Sequence, residues 1–377
     1  MKNDRNAVAD EYRPRFTTIG TLCLIIVTAV FLFPANRLLA REIPIDKIFN
    51  AADSDGDGLI STQEWHQAMK KRFETLDTSN DRNISREEFE QQEEISGYRR
   101  RQAGWSSFVR SGGVKQFDTD ISDGSSFETT RLTLQLGGSY ARDYRTSVGL
   151  TIGYSYNGYS FSTGTAEGVF EPWEDVHNIS LGLPVRWGMG KQWSGFLNPT
   201  IRATGEQGAA FNDSLTGGVF GGAAYRFSDR LVIGPGIGVI SQLEESATVF
   251  PILIIDWKIT DRLSLETGSG LGATLGPGLV LNYQLNKNLM FSLGGRYEKL
   301  RFRLDEDGAV PSGIGEDTSF PVFIGCSYEI TPQARLSLVG GIETSGDLRL
   351  EEKDGKLISK ESYDSGGFFG LTFNIRI

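Results

Sequence analysis

From residue 113 to residue 377 the chain alternates apolar and polar residues with a period of two. Val148, Leu150, Ile152, Tyr154 and Tyr156 form one such run, and Ile179, Leu181, Leu183, Val185 and Trp187 another. Leu279, Leu281, Tyr283 and Leu285 repeat the pattern, as do Phe369, Leu371, Phe373, Ile375 and Ile377. Gly, Ser, Thr, Asn or a charged residue stands between the apolar positions. On a helix these residues would scatter around the circumference, whereas on a strand they line one face. The turns add a second constraint. An aromatic residue precedes a short polar turn and an apolar residue restarts six positions later in Trp187/Trp193, Tyr225/Leu231, Trp257/Leu263 and Tyr283/Leu289. The interval is eight in Tyr140/Val148 and Tyr328/Leu336. The opposite connections, 157–174, 303–318 and 345–366, are longer and more polar.

Short turns on one side, long loops on the other and aromatics at the short-turn boundary resemble a Gram-negative outer-membrane β-barrel. In lipid every backbone group needs a partner, and a closed barrel provides one without edges. Tyr and Trp favour the headgroup level. The resemblance implies a mainly β fold, an antiparallel transmembrane barrel in contact with outer-membrane lipid and lipopolysaccharide. The last strand, GFFGLTFNIRI, resembles the C-terminal signal read by barrel-assembly machinery, with Ile377 where Phe is usual. Six short turns join twelve strands and the C-terminal strand adds one. Closure with both ends on one side needs an even number, so a first strand is expected near 113–121. Fourteen strands is the expectation, twelve the alternative. Leu181, Leu183, Val185, Leu279, Leu281 and Leu285 should face lipid, and Ser180, Gly182, Asn282 and Gln284 the lumen. A soluble all-β sandwich is the competing reading, with fewer interfacial aromatics and no one-sided loop asymmetry.

Ahead of the barrel lies DSDGDGLISTQE, residues 53–64. Asp53, Asp55 and Asp57 fall at loop positions 1, 3 and 5, Gly58 at 6, Leu59 at 7, Ser61 at 9 and Glu64 at 12. This spacing resembles the EF-hand family. Alternate carboxylates, the Leu59 carbonyl and a distal glutamate supply the hard oxygens Ca²⁺ prefers, and Gly58 permits the sharp turn. A second copy places Asp77, Ser79, Asp81, Asn83 (through its carbonyl), Ser85 and Glu88 in the same frame. Arg82 replaces the turn glycine and Ser79 a carboxylate, so weaker binding is expected there. Phe49 and Phe73 precede the two loops, and Trp65 and Phe89 follow them. Only residues 65–76 separate the loops, enough for one shared helix about 18 Å long. The arrangement resembles compact tandem pairs of exported bacterial proteins.

Lys2, Arg5, Arg13 and Arg15 precede the apolar run 19–33, which Pro34 breaks. Residues 1–40 therefore read as an export signal, with an uncleaved membrane anchor as the alternative. Residues 41–95 form the expected EF-hand module, 96–112 a linker and 113–377 the barrel. After cleavage Cys326 stands alone, so no intramolecular disulfide forms. A formal charge of −10 argues against nucleic-acid binding.

No convincing catalytic set emerges. His66 reads as a solvated helix residue. His177 and Ser180 are an odd number apart and face opposite sides of a strand. The glycines of 234–238 and 268–272 read as barrel wall rather than a nucleotide loop, and the acidic stretches 305–317 and 350–355 as solvated loops. The sequence therefore implies a non-enzymatic calcium-binding outer-membrane barrel with a periplasmic EF-hand head, serving as pore, transporter or structural anchor. The alternatives are a calcium-dependent outer-membrane hydrolase and a soluble exported calcium-binding β-protein.

Overall fold

The computed structural model describes residues 59–77, 79, 81–83, 85, 104–143, 145–162, 172–190, 192–267 and 278–377. The expected export signal, Asp53, Asp55, Asp57 and Glu88 lie outside the described residues.

A single sheet holds seventeen extended segments. β1 (Gly104–Asp120), β2 (Ser126–Ala141) and β3 (Ser147–Ser162) open the chain of hairpins. β4 (Asp175–Gly182), β5 (Val185–Met189) and β6 (Trp193–Glu206) follow. Next come β7 (Leu215–Ser228), β8 (Leu231–Gln242), β9 (Glu245–Lys258) and β10 (Leu263–Thr267). β11 (Gly278–Gln284), β12 (Leu289–Arg296), β13 (Glu298–Arg303) and β14 (Ile314–Thr331) continue the wall. β15 (Ala334–Glu351), β16 (Leu357–Tyr363) and β17 (Gly366–Arg376) complete it.

Three pairs of segments are single strands with an interruption. β4 and β5 both pair with β3 and β6, and Pro184, which has no N–H to donate, lies between them. β12 and β13 both pair with β14, and β16 and β17 both pair with β15. The wall therefore has fourteen strands, and it closes where Phe108↔Arg376 through Gln116↔Phe368 join the first strand to the last. The fourteen-strand parity argument holds. The first strand nevertheless begins at Gly104 rather than near residue 113, so 104–112, expected as linker, is barrel wall. Arg110 and Gly112 find partners in Asn374 and Thr372, a pairing 260 residues distant that local pattern does not reveal.

Side chains divide as the alternation requires. Leu150, Ile152, Leu181, Leu279, Leu293, Ile324 and Leu338 are exposed on the outer surface. Ser180, Asn282, Ser292 and Ser337 line the interior. Near the short turns Trp105, Tyr140, Trp187, Trp193, Trp257, Tyr283 and Tyr328 are exposed. Trp105 packs on Tyr140 with ring centroids 5.4 Å apart. An apolar exterior around a polar interior inverts the soluble arrangement and suits a hydrocarbon solvent. The molecule is a closed antiparallel transmembrane β-barrel, and the sandwich reading falls because one sheet closes on itself.

The expected long loops differ. β15 runs to Glu351 and β16 covers Leu357–Tyr363, so much of 345–366 is extended hairpin, whereas 303–318 keeps a loop between Arg303 and Ile314. This hairpin keeps strand pairing while substituting charged residues for apolar ones. Ahead of the barrel, α1 (Thr62–Leu76) is the shared helix between the two acidic loops.

Candidate functional site

The barrel encloses a lumen of about 590 Å³. Strands β2 to β6 contribute a polar wall that includes Thr133, Gln135, Ser155, Asn178 and Ser180. Facing elements contribute an apolar cluster of Phe323, Val339 and Phe368 with Val114 and Val280. The lumen is thus two-sided in chemistry.

At the long-hairpin end the wall is pinched. β7 pairs with β6 only as far as Ala203↔Leu215, and β11 pairs with the β12 strand only as far as Gly278↔Arg296. Beyond these points no described residue of β7 or β11 pairs with β6 or β13, and an open strand edge invites another strand. The two edges meet at Arg303↔Gly205, across the wall rather than along it. Phe127, Tyr159, Trp173, Val176, Phe302 and Tyr363 pack together in this narrowed part. Trp173 stands edge-on to Tyr159 and Phe302, at 5.9 and 5.2 Å between centroids. The outcome is an aromatic stopper.

Beneath it lies a charged layer. Arg131 donates to both Glu343 oxygens, at 2.6 and 3.2 Å, and lies 3.4 Å from Glu298 and 3.5 Å from Asp317. Tyr159 and Tyr363 donate their hydroxyls to Asp317 at 2.8 and 3.0 Å, tying the aromatics to the ions. Arg296 also pairs with Glu298. Three carboxylates around Arg131 satisfy its fork, and breaking such a pair by removing one partner costs about 3–5 kcal/mol. A second set braces the pinch. Arg301 donates to Glu316 at 2.8 Å, to Glu351 at 2.6 Å and to the Leu243 carbonyl at 3.0 Å. Arg303 donates to Glu244 at 2.6 Å. The β8–β9 turn is thereby tied to β13.

These ion networks were not legible from composition. Glu316, Asp317 and Glu351 fall in stretches expected to be solvated, yet all three are buried. Their one local signal is a charge at an inward or paired position of an otherwise alternating strand, as with Arg131 between Thr129 and Thr133.

His177 contacts Tyr154 through Nδ1 at 2.9 Å, whereas Ser180 lines the lumen. They occupy opposite faces, as the odd spacing requires. His66 is on α1, with Nδ1 2.6 Å from the Thr62 carbonyl. Of the glycines at 234–238, Gly238 lies under Phe250, where a Cβ would come within 2.4 Å of the ring. Those at 268–272 lie outside the described residues.

In the acidic module, Ser61 caps α1 and accepts from the Glu64 N–H, while Glu64 Oε2 accepts from the Ser61 N–H at 2.8 Å. Loop positions 9 and 12 therefore form a capping box. In the second loop Asp77 accepts from the N–H groups of Asp81 and Arg82, at 3.1 and 2.8 Å. Arg82 has φ +67°, the conformation that favours glycine at loop position 6. Arg82 takes this left-handed turn conformation although it is not a glycine. Ser79 donates to Asp77 at 3.3 Å, and Asp81 accepts from the Asn83 N–H at 2.7 Å. Leu59 and Ser85 are also among the described residues. Among these residues no group of three His, Cys, Asp or Glu side chains forms a metal cluster. The donor set is hard oxygen throughout, which fits calcium rather than a soft metal.

Fold and module together define a closed transmembrane β-barrel carrying an EF-hand segment. The chain belongs to the family described as a domain of unknown function, DUF6268, whose model matches residues 125–376. An EF-hand domain model matches residues 45–72. No curated protein matches by sequence. Among solved structures, an outer membrane channel from Pseudomonas putida F1 is 11% identical with a TM-score of 0.41, covering 73% of this chain and 96% of its own. A Pseudomonas aeruginosa FadL homologue is 13% identical with a TM-score of 0.40, covering 73% and 90%. The P. putida toluene transporter TodX is 11% identical with a TM-score of 0.36, with the same coverage.

Proposed function

We propose that this chain is a calcium-binding outer-membrane channel whose EF-hand module stands in the periplasm. The lumen carries the channel reading: about 590 Å³ of space, partly polar, inside a wall that is apolar outside. A fourteen-strand wall is wider than the roughly eight-strand barrels that side chains fill, and the space it leaves is available to a solute. The short turns and both barrel termini then face the periplasm, and the long hairpins face outward. With Trp173 and Phe302 packed, the described conformation is the closed one. Passage requires the stopper to shift, as lids do in other gated sites.

Calcium would be held by Asp53, Asp55, Asp57, the Leu59 carbonyl, Ser61 and Glu64. Asp77, Ser79, Asp81, the Asn83 carbonyl, Ser85 and Glu88 form the weaker second set. Lipopolysaccharide and the barrel-assembly machinery are the partners this address implies, and the mature chain begins at or near Arg41. Liposome swelling with purified protein tests the channel. Solute entry should rise in Trp173→Ala relative to wild type, and no entry with either protein would reject the reading.

A further inference from the structure

We propose that the lumen wall formed by β6 to β9 is a binding site for a small organic anion with a single charge on an aromatic body. The proposal rests on the channel reading for its context, and it specifies the solute class. β6 presents Asn198, Thr200 and Arg202 to the lumen at alternate positions, with Leu197 and Ile201 exposed outside. Asn198 Oδ1, Thr200 Oγ1 and Arg202 Nη1 are each shielded from solvent and have no hydrogen-bond partner within the protein. Buried polar atoms normally have partners, so three in a row on one strand mark a place where something else supplies them.

Arg202 carries the charge. Its Nε donates to Thr216 Oγ1 at 3.2 Å, and among the described residues it makes no ion pair. Arg131, Arg296, Arg301 and Arg303 all have carboxylate partners. Among the described residues Arg202 is therefore, with Arg110, a lumen-lining guanidinium for which the wall supplies no ion pair. A carboxylate can accept a charge-assisted hydrogen bond from the part of this half-buried guanidinium that the wall leaves unbonded.

The neighbouring strands set the shape of the rest. Thr200 is level with Gly218 and, through it, with Ile240. Asn198 is level with Phe220, and Gly238 separates Phe220 from Phe250. The two rings are 5.8 Å apart at 61°. An anion held at Arg202 therefore lays its body along Ile240, which packs over Gly218, toward the Phe220–Phe250 pair. One cation beside an apolar surface selects a monoanion with an apolar body over a polyphosphate, which needs several cations. It also selects against amines by like charge.

The test uses the purified full-length protein in non-ionic detergent and fluorine NMR line broadening. The probes are fluorobenzoate, the neutral fluorobenzyl alcohol and the cationic fluorobenzylamine. Wild-type protein should bind the benzoate about tenfold more tightly than either other probe. Arg202→Met, which keeps an unbranched side chain, should weaken benzoate about tenfold and leave the alcohol unchanged. Asn198→Asp, which places an acid on the same strand, should weaken it as well. Phe220→Ala should weaken fluorobenzoate and spare fluoroacetate, which has the charge without the ring. Equal binding of the three probes by wild type, or unchanged benzoate binding in a folded Arg202→Met barrel, would overturn the proposal. Because the wild-type comparison needs no variant, a folding defect cannot mask the answer. Liposome swelling separates this site from the channel reading. Benzoate binding without solute entry supports the site and rejects the channel, and entry without selective binding does the reverse.

Discussion

Arg131 Nη1 lies 2.6 Å from Glu343 Oε1, joining two residues 212 positions apart across the interior of the barrel. Only 2% of the Glu343 side chain and 13% of the Arg131 side chain are exposed. The pair sits directly beneath the aromatics, and Asp317 connects the two layers through Tyr159 and Tyr363. Charge and packing at this end act as one unit.

Arg131→Met should therefore loosen the stopper. It leaves Glu343, Glu298 and Asp317 without their shared cation, at a cost of about 3–5 kcal/mol. The expected outcome is a lower unfolding temperature together with faster solute entry into liposomes. If thermal stability and entry both remain at wild-type values, the ion layer does not hold the closed end.

Calcium binding should rank by loop. Asp53→Ala or Glu64→Gln should abolish most of the calcium heat in calorimetry on the full chain, whereas Asp77→Ala should remove little. The first loop has a complete ligand set, and the second has Ser79 and Arg82 in place of a carboxylate and a glycine. Equal losses from both loops would contradict the ranking.

Arg82→Gly should strengthen the second loop. Arg82 already has φ +67°, and relieving a left-handed non-glycine residue recovers about 1–2 kcal/mol. That corresponds to roughly a tenfold tighter second site if the gain falls on the bound state. A two-site titration that leaves the weaker constant unchanged would show that the turn does not limit binding.

The lipid face should reject charge. Leu281 stands opposite Leu265 and Leu293, in the outward register of exposed Leu279 and Tyr283, whereas Asn282 is buried and accepts from Ser292 at 2.7 Å. Leu281→Arg should cost about 2–4 kcal/mol near the midplane. Asn282→Lys, facing the lumen, should be milder. A spin label at Leu281 should be reached by a lipid-phase quencher; a label hidden from both lipid and water would place the residue in a packed core.

Much of this was legible in the chain itself, because the governing interactions are local. Period two sorts residues such as Leu181 and Ser180 onto opposite faces, and aromatics such as Trp187 and Tyr283 locate the short turns. An even strand number follows from closure. The spacing of 53–64 pointed to the EF-hand family, whose model matches 45–72, and Ser61 with Glu64 marks the start of α1. The tertiary structure decided what fills and narrows the barrel. The pinch at Arg303↔Gly205 joins β6 to β13 where no other described residue pairs with them on those edges. The pairing of Arg131 with Glu343 and of Arg301 with Glu351 depends on which strands meet across the ring. Arg202 reads like any other inward charge in sequence. Closing the sheet puts it level with Thr216, four residues along β6 from the Asn198–Phe220 pair and with no ion pair among the described residues, because the identity of a lumen neighbour is set by strand register and closure rather than by local pattern.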